Sequence, residues 1–519
     1  MKIKTIALLC SLSFAALALT ADTVKALILD QSIIDGVSKQ VAPTEVLKEI
    51  LPAKTGEKVV ASGLTQSQLI ALGRFIFNNV PFQGNGRTCS TCHPATNNFT
   101  IDPQFIATLP ANDPLFVAET NPDLTNLENP VLMRSLGLIC ENLDGFDKPC
   151  VFRGVPHTLA LRTSTTPPLQ NPPNPGNILV PGTDPPVELA NSTGWSADGA
   201  PIGNGAHGEL RLFALGAVAQ HFTKTLNRVP GVDFRVPSNL ELDALLAFQL
   251  SLGRQADVNL ASMTFKSLVV EFGKNVFQDQ DPVNGGRCSL CHDNASANRP
   301  PNNANAGKNT IANTRVELTA STPAFLLQPA AIVVDGGFGK PPAISPTIPN
   351  RNPFPAPGFG NGTFDAPPLI ESAVTPPFFH NNVAATIEAA VGFFSSPEFN
   401  NPAPIIIMNT DKATAIAAFL RAIGSMELID RGTDNNNSAI DSGLLVGENF
   451  ITIALSNTKD AKKVLKEGVY LLFPTAQDDL AAAQALQERA LITNNLTKRN
   501  GFLAQANAKL ASARNAIVE

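Results

Sequence analysis

The sequence predicts a mainly α-helical protein in which two similar domains follow one another along the chain. The pentapeptide Cys-x-x-Cys-His occurs twice, at residues 89–93 and 288–292. The same segment precedes both copies: a Gly-x-x-x-Phe stretch starting at Gly73 or Gly273, then a glycine-rich turn and an arginine. Apolar residues at helical spacing follow each copy later in the chain. A duplicated helical unit accounts for all three observations.

The closing helices of the two units are predicted from their apolar spacing. Residues 242–250 and 413–420 have the pattern of amphipathic helices, and we expect these helices to end before Gly253 and Gly424. Proline is concentrated between these elements, which predicts long irregular loops. The loops cover residues 166–186 and 341–368.

An Ala-, Leu- and Gln-rich region after Asp434 predicts a helical appendix, with helical patterning at 459–472 and 477–518. It contains no histidine or cysteine, so we expect a role in packing or oligomer contact. The predicted organisation is a signal peptide at 1–21, an extension at 22–60, a first domain at 61–256, a second at 261–432 and the appendix at 433–519.

The N-terminus predicts export from the cytoplasm. Lysines precede an apolar run over residues 5–20, with small residues near Ala21 as an expected cleavage site. Cys10 lacks the preceding small residue of a lipoprotein signal, and no later stretch is apolar enough to span a bilayer, so we expect a soluble periplasmic or secreted protein without a stable membrane anchor. The net charge of −6 provides no basic footprint for nucleic acid.

The Cys-x-x-Cys-His pentapeptide is the attachment signal of a c-type haem. Two thiols at this spacing form thioethers to the haem vinyl groups, and the adjacent imidazole is the proximal iron ligand. Zinc sites also use paired thiolates, but their two pairs are commonly within about 20 residues of one another, whereas roughly two hundred residues separate these pairs. We therefore predict two covalently bound haems, attached through Cys89, Cys92, Cys288 and Cys291 and ligated by His93 and His292.

Two of the seven cysteines remain after the haem motifs and Cys10 are set aside. In an oxidising compartment we expect Cys140 and Cys150 to form a disulfide, since the turn-rich residues between them allow the chain to fold back. The alternative is two free thiols.

The chain resembles the bacterial dihaem cytochrome c peroxidase and MauG superfamily, which consists of exported proteins with two fused cytochrome c domains. The resemblance covers residues 66–431 and is most specific at 364–369 and at the Thr-Pro-Pro-Phe-Phe-His-Asn-Asn run of 375–382. It implies that His380 is the second axial ligand of the C-terminal haem. Two histidine ligands make a closed, six-coordinate iron suited to electron transfer.

In the first domain Trp195 occupies the position that His380 has in the repeat, which implies an accessible iron at the first haem. In the superfamily such a tryptophan tends to lie between the haems, where it can pass electrons. The segment 194–250 is most similar to the rubber oxygenase branch. Phe213 is then expected, with Trp195, to form part of an apolar pocket at the first haem. The glutamate typical of the peroxidases is missing from residues 216–222, and His221 or His157 can substitute for it or lie in the core.

We therefore predict a haem-dependent oxidoreductase that activates O2 or H2O2 at the His93 haem and transfers electrons through the His292 and His380 haem. The expected partners are a small redox protein or small-molecule electron donor and, if the rubber oxygenase likeness extends to chemistry, an apolar alkene. Two alternatives stay open: a hydrogen-peroxide-reducing cytochrome c peroxidase, and a non-enzymatic electron carrier. The carrier needs a distal ligand at the first haem, for which the sequence offers His157, His207, His221 and Met133.

Overall fold

A computed structural model describes residues 64–142, 146, 149–165, 194–195, 210–281, 283–302, 309–316, 335, 337, 364–400 and 406–519. Within these residues the protein is mainly α-helical, as predicted. The predicted signal peptide, the extension, and most of the two proline-rich loops lie outside the described residues. None of the helices in the described ranges is long and apolar enough to cross a membrane.

The helices and strands have the following bounds. The α-helices are α1 (Gln66–Asn79), α2 (Cys89–Cys92), α3 (Pro103–Ile106), α4 (Val117–Thr120), α5 (Pro130–Leu136), α6 (Leu161–Thr165), α7 (Leu210–His221), α8 (Asn239–Leu250), α9 (Leu268–Gln278), α10 (Ile387–Phe393), α11 (Thr410–Ile440), α12 (Leu444–Val464), α13 (Pro474–Leu491) and α14 (Leu496–Ile517). The strands form two antiparallel pairs, β1 (Leu138–Glu141) with β2 (Val151–Gly154), and β3 (Ile311–Ala312) with β4 (Phe364–Asp365). Short 3-10 helices include Ala95–Asn97, Cys288–Leu290, Asp293–Ala295 and Ile370–Val374.

Helices α1 and α8 cross closely in the first half of the chain. Capping boxes at Thr65 and Ser238 satisfy the first backbone N–H groups of these helices. The buried apolar face of α1, including Phe77, packs against α8, where Phe248 meets Phe77 edge to face with ring centroids 5.2 Å apart. At the crossing a Cβ added to Gly73 would lie 1.9 Å from the carbonyl oxygen of Ala244, so only glycine fits.

Helices α9 and α11 repeat this arrangement in the second half. A Cβ added to Gly273 would lie 1.9 Å from the carbonyl oxygen of Ala415, the same approach as at Gly73. Phe277 corresponds to Phe77 and packs against Phe419 with ring centroids 5.3 Å apart. The sequence repeat is therefore also a repeat of helix packing.

We expect Gly73→Ala and Gly273→Ala each to lower the free energy of unfolding by about 3 kcal/mol or more, because the new methyl group would force the two crossing helices apart. Thermal unfolding followed by circular dichroism measures the effect. The matched control is Gly501→Ala in α14, where an added Cβ has nothing within 4 Å among the described residues. This control should be neutral or stabilising. Equal melting temperatures for all three variants would contradict the close-packed crossings.

The expected end of the closing helix at Gly424 is wrong, because α11 continues from Thr410 to Ile440. An added Cβ at Gly424 would lie 2.5 Å from the Cβ of Ala373, so this glycine allows a close approach within the helix instead of ending it. The asparagines that follow Asp434 also lie within this helix. Asn435 Nδ2 donates to the Arg431 carbonyl at 2.8 Å, and Asn436 Nδ2 donates to Asn507 at 2.8 Å.

The helical appendix packs against both halves of the protein. Its apolar face shares one buried core with α9 and α11, and its end is held by a hydrogen bond from the Lys266 backbone N–H to the Ile517 carbonyl at 3.0 Å. Toward the first half, Asn98 Nδ2 donates to Asp460 at 3.0 Å and Ser456 donates to the Thr96 carbonyl at 3.1 Å. The appendix thus packs within the chain, and its contact with another copy stays a prediction. The helix expected at 459–472 ends at Val464.

The predicted disulfide between Cys140 and Cys150 is present, with 5.5 Å between the two Cα atoms. It joins the ends of the β1–β2 hairpin, where Cys140 pairs with Phe152. The remaining four cysteines of the described residues are free, and they are those of the two pentapeptides.

Candidate haem sites

The first pentapeptide folds as a single helical turn, α2, that ends at His93. Thr88 forms a capping box with Thr91 at the start of this turn. The His93 ring places Nδ1 2.9 Å from the Phe99 carbonyl oxygen. Since a carbonyl only accepts, Nδ1 carries the proton and Nε2 presents a lone pair. This is the tautomer that an axial iron ligand needs.

The second pentapeptide repeats this geometry. Cys288–Leu290 forms one 3-10 turn, and His292 Nδ1 lies 3.1 Å from the Ser296 carbonyl oxygen. Each histidine therefore bonds through Nδ1 to the backbone of the loop that follows it. The same contact between Nδ1 and a backbone carbonyl occurs in both motifs, which supports the same ligand role for both histidines.

Burial keeps the residues of both motifs uncharged. It lowers the pKa of His93 and of His292 to about 4, so both imidazoles are neutral at pH 7. It also raises the pKa of Cys89 and Cys288 to about 12, so their free thiols are protonated. Neutral imidazoles beside half-buried thiols suit an apolar, covalently attached group.

A cavity of about 310 Å³ lies beside the second motif and is lined mainly by apolar side chains. Cys288, Cys291 and His292 line it, and His380 lines it as well. His380 is only 3% exposed, and its ring stacks on Phe364 with centroids 3.7 Å apart and an angle of 9° between the planes. The aromatic stack fixes the orientation of the His380 imidazole.

The residues of the second site fit a c-type haem. The two free thiols, a neutral histidine whose Nδ1 bonds to the backbone, and a second histidine all line one apolar cavity. The first motif provides the same thiols and histidine tautomer. The residues that would hold the two groups are Cys89, Cys92, His93, Cys288, Cys291, His292 and His380.

Trp195, which was expected between the two haems and in the pocket of the first, lines the cavity of the second motif. Its indole Nε1 donates to the Gly154 carbonyl at 2.8 Å, and the backbone N–H of Gly154 donates to the His380 carbonyl at 2.7 Å. The same cavity reaches Thr100, which directly follows Phe99 of the His93 loop. Trp195 therefore lies on the side of the second site that faces the first motif.

Phe213 belongs to a separate apolar group in the first half. It packs against Leu161, Leu210 and Leu250, which come from three different helices. Leu161 also lines the cavity, so this group adjoins the region between the two motifs. Most of the segment around Trp195, including residues 196–209 with His207, lies outside the described residues.

A buried charged group next to the first motif was not predicted from the sequence. Glu128 accepts a hydrogen bond from Arg87 Nη1 at 2.8 Å and another from the Cys140 N–H at 2.8 Å. Although burial opposes ionisation, the charge of Arg87 and the hydrogen bonds hold the pKa of Glu128 below its usual value. His221 Nδ1 lies 3.8 Å from the same carboxylate. A glutamate thus accompanies His221, although none occurs in residues 216–222.

The other residues that the sequence offered as a distal ligand of the first haem lie in different parts of the structure. Met133 is fully buried in an apolar group that also contacts Cys92. His157 lines the cavity of the second motif, and burial lowers its pKa. The charge of His221 acts on His93, as does that of His157, so both histidines lie near the first motif.

Comparisons with known proteins add little. No known family profile and no curated protein matches this sequence. Among solved structures, a MauG-like protein associated with microbial copper homeostasis is similar, with 14% identity over 71% of this chain and 90% of that chain and a TM-score of 0.35. A similarity this distant carries no information about the function of the chain.

Proposed function

We propose that the protein is an exported dihaem c-type cytochrome that acts as an oxidoreductase. The observation that supports it most strongly is the repeated geometry of the two motifs, in which free thiols accompany a buried histidine with its Nδ1 on a backbone carbonyl. Bound haem supplies redox and oxygen or peroxide chemistry. The protein residues attach it, orient its ligands and exclude water.

The second site is the proposed electron-transfer site. His292 and His380 line the same cavity, and ligation by both would leave no open iron position. Trp195 is the proposed relay toward the first site, since it connects through Gly154 to the backbone of His380. An aromatic side chain held by hydrogen bonds keeps a fixed position between two redox groups.

The first site is the proposed site of oxygen chemistry. The apolar group of Phe213, Leu210 and Leu250 would exclude water and accept an apolar alkene, as the likeness to the rubber oxygenases suggests. The polarity and hydrogen-bond donors of a distal pocket help decide between binding of oxygen, its activation and electron transfer. Trp195 borders this region from the side of the cavity.

Peroxide reduction is the second candidate function, and Glu128 with His221 favours it. Peroxide cleavage needs a positioned acid–base group, which contributes roughly 100-fold or more to the rate. The Glu128 carboxylate is fixed by Arg87 and lies 3.8 Å from His221 Nδ1, so the two side chains form a close acid–base pair. The apolar packing of Phe213 supports the first candidate, and this charged pair supports the second.

A direct comparison of the two reactions tests the proposal. We expect alkene cleavage with dioxygen and a short isoprenoid, and only slow oxidation of a reduced cytochrome by hydrogen peroxide. Phe213→Ala should slow alkene cleavage roughly tenfold or more, because apolar pocket contacts contribute about 1–3 kcal/mol to discrimination. Product analysis and stopped-flow absorbance measure the two rates.

The matched control is Phe502→Ala in α14. Phe502 is an aromatic residue of the appendix whose ring packs against Arg489. It should leave both rates unchanged. Fast peroxide turnover that falls in His221→Gln, with no alkene cleavage, would instead establish the peroxidase. Failure of cyanide and carbon monoxide to bind either haem would establish the electron carrier.

A further inference from the structure

A buried cluster of charged side chains lies where the two halves of the protein meet. Arg254 follows α8 and donates through Nε to Glu371 at 3.0 Å, and the two side chains are 5% and 0% exposed. Arg254 also pairs with Asp257. Glu371 belongs to the 3-10 helix Ile370–Val374 of the second half, so this ion pair crosses between the halves.

Helix α11 adds two more charged residues to the cluster. Arg431 is 7% exposed, and the charges of Glu371 and Glu427 act on it. The Glu427 carboxylate comes within 3.5 Å of the position that a Cβ at Gly253 would take, next to Arg254. Three carboxylates, those of Asp257, Glu371 and Glu427, therefore face two guanidinium groups.

Several buried atoms of the cluster have no hydrogen-bond partner among the described residues. They are Glu371 Oε2, Glu427 Oε1, Arg254 Nη2 and His157 Nδ1. Two carboxylate oxygens without a donor cost free energy when both are charged. One proton shared by the carboxylates would remove the excess charge and supply a donor.

The cluster is connected to the loops of both proximal histidines. On one side Arg431 donates to Asn98 Oδ1 at 3.2 Å, and Asn98 precedes Phe99, whose carbonyl accepts from His93. On the other side the Leu369 N–H, next to the helix of Glu371, donates to the Ala295 carbonyl at 2.9 Å. Ala295 precedes Ser296, whose carbonyl accepts from His292. Charge at either haem would act on this cluster.

Glu427 is the carboxylate best placed to hold the proton. Burial and the nearby charge of Glu371 raise the pKa of Glu427 to about 7, whereas the charge of Arg254 keeps the pKa of Glu371 low despite its burial. Charged and titratable groups surround Glu427 on several sides. Its own helix contributes Asp430 and Arg431, α12 contributes Asp460, and α14 contributes Arg514, which pairs with Asp430. The other packed segments contribute His157, Arg254, Asp257 and Glu371.

We propose that this cluster takes up one proton when an electron enters the protein, and that Glu427 receives it. An external one-electron donor is oxidised, the electron reduces the protein, and the Glu427 carboxylate binds one proton from solvent to become a carboxylic acid. No other bond forms or breaks. The added negative charge in a low-dielectric interior favours the neutral carboxyl. The inference rests on the proposed haem function, since the electron must reside near the cluster.

Midpoint potentials measured across pH test the proposal. In the wild-type protein we expect the potential of at least one haem to fall as pH rises through about 7, the pKa of Glu427. In Glu427→Gln the midpoint potential should stay, at every pH, at the high value that the wild type has at low pH, because the amide imitates the protonated acid. Glu448→Gln, an exposed position on α12, should behave like the wild type. A pH-independent wild-type potential, or an unchanged slope in Glu427→Gln, would overturn the proposal.

Infrared difference spectroscopy of the wild-type protein provides a readout that does not depend on the folding of a variant. Reduction above pH 7 should create a carboxylic acid carbonyl band in the wild type that is missing from Glu427→Gln. Absence of this band from the wild type would also overturn the proposal. A protein that binds two haems and lacks the band would refute the proton site alone, whereas a protein without covalent haem would refute the proposed function first.

Discussion

The double variant Cys288→Ala/Cys291→Ala is expected to contain one covalent haem per chain instead of two. Each pentapeptide supplies both thioether thiols of its own haem, and the first pair lies on a separate helical turn, α2. The pyridine haemochrome spectrum after acid-acetone extraction, divided by protein concentration, measures the haem content.

The control for this change is Cys140→Ala with Cys150→Ala, which removes the disulfide but neither motif. It should retain both haems while lowering stability by roughly 2–5 kcal/mol. An unchanged haem content after loss of Cys288 and Cys291 would show that this pair does not attach haem. The thiols would then require another explanation, such as a metal site.

His380→Ala is expected to keep both haems attached and to convert the second iron completely from low spin to a high-spin or water-ligated form. His380 is almost fully buried, stacks on Phe364 and lines the cavity with His292. Its removal takes away the second strong-field ligand without disturbing the thiols. Absorbance and electron paramagnetic resonance spectra measure the change.

His157→Ala provides the matched control, because His157 lines the same cavity. We expect its spectrum to remain that of the wild type. Loss of the low-spin signal in His157→Ala, with no effect of His380→Ala, would assign the second ligand to His157. The two variants therefore distinguish which histidine closes the second site.

Local sequence patterns predicted much of the fold. The helix at Asn239–Leu250, the recurrence of the segments around Gly73 and Gly273, and the Cys140–Cys150 bridge all follow from residues close in sequence. From the sequence, Gly424 looks like a glycine that ends a helix. The reason for glycine there is the close approach of Ala373, which the sequence does not show. A glycine at a packing contact and a glycine after a helix look alike without the partner element.

The charged groups around the sites could not be predicted, because their members are distant in sequence. Arg87, Glu128 and His221 come together only when the β1–β2 region packs against α7. Trp195 was matched to His380 by its position in the repeat, and its hydrogen bonds with Gly154 and Asp365 hold it against the cavity of the second motif. Neither arrangement has a local sequence signal.

The electron paramagnetic resonance spectrum of the oxidised, fully matured protein tests the central claim most directly, namely that the chain holds two different haem irons. We predict one low-spin ferric signal from the site of His292 and His380, and one high-spin or ligand-accessible signal from the site of His93 that shifts when cyanide is added. Two low-spin signals that cyanide does not change, or a spectrum without haem iron, would contradict this account.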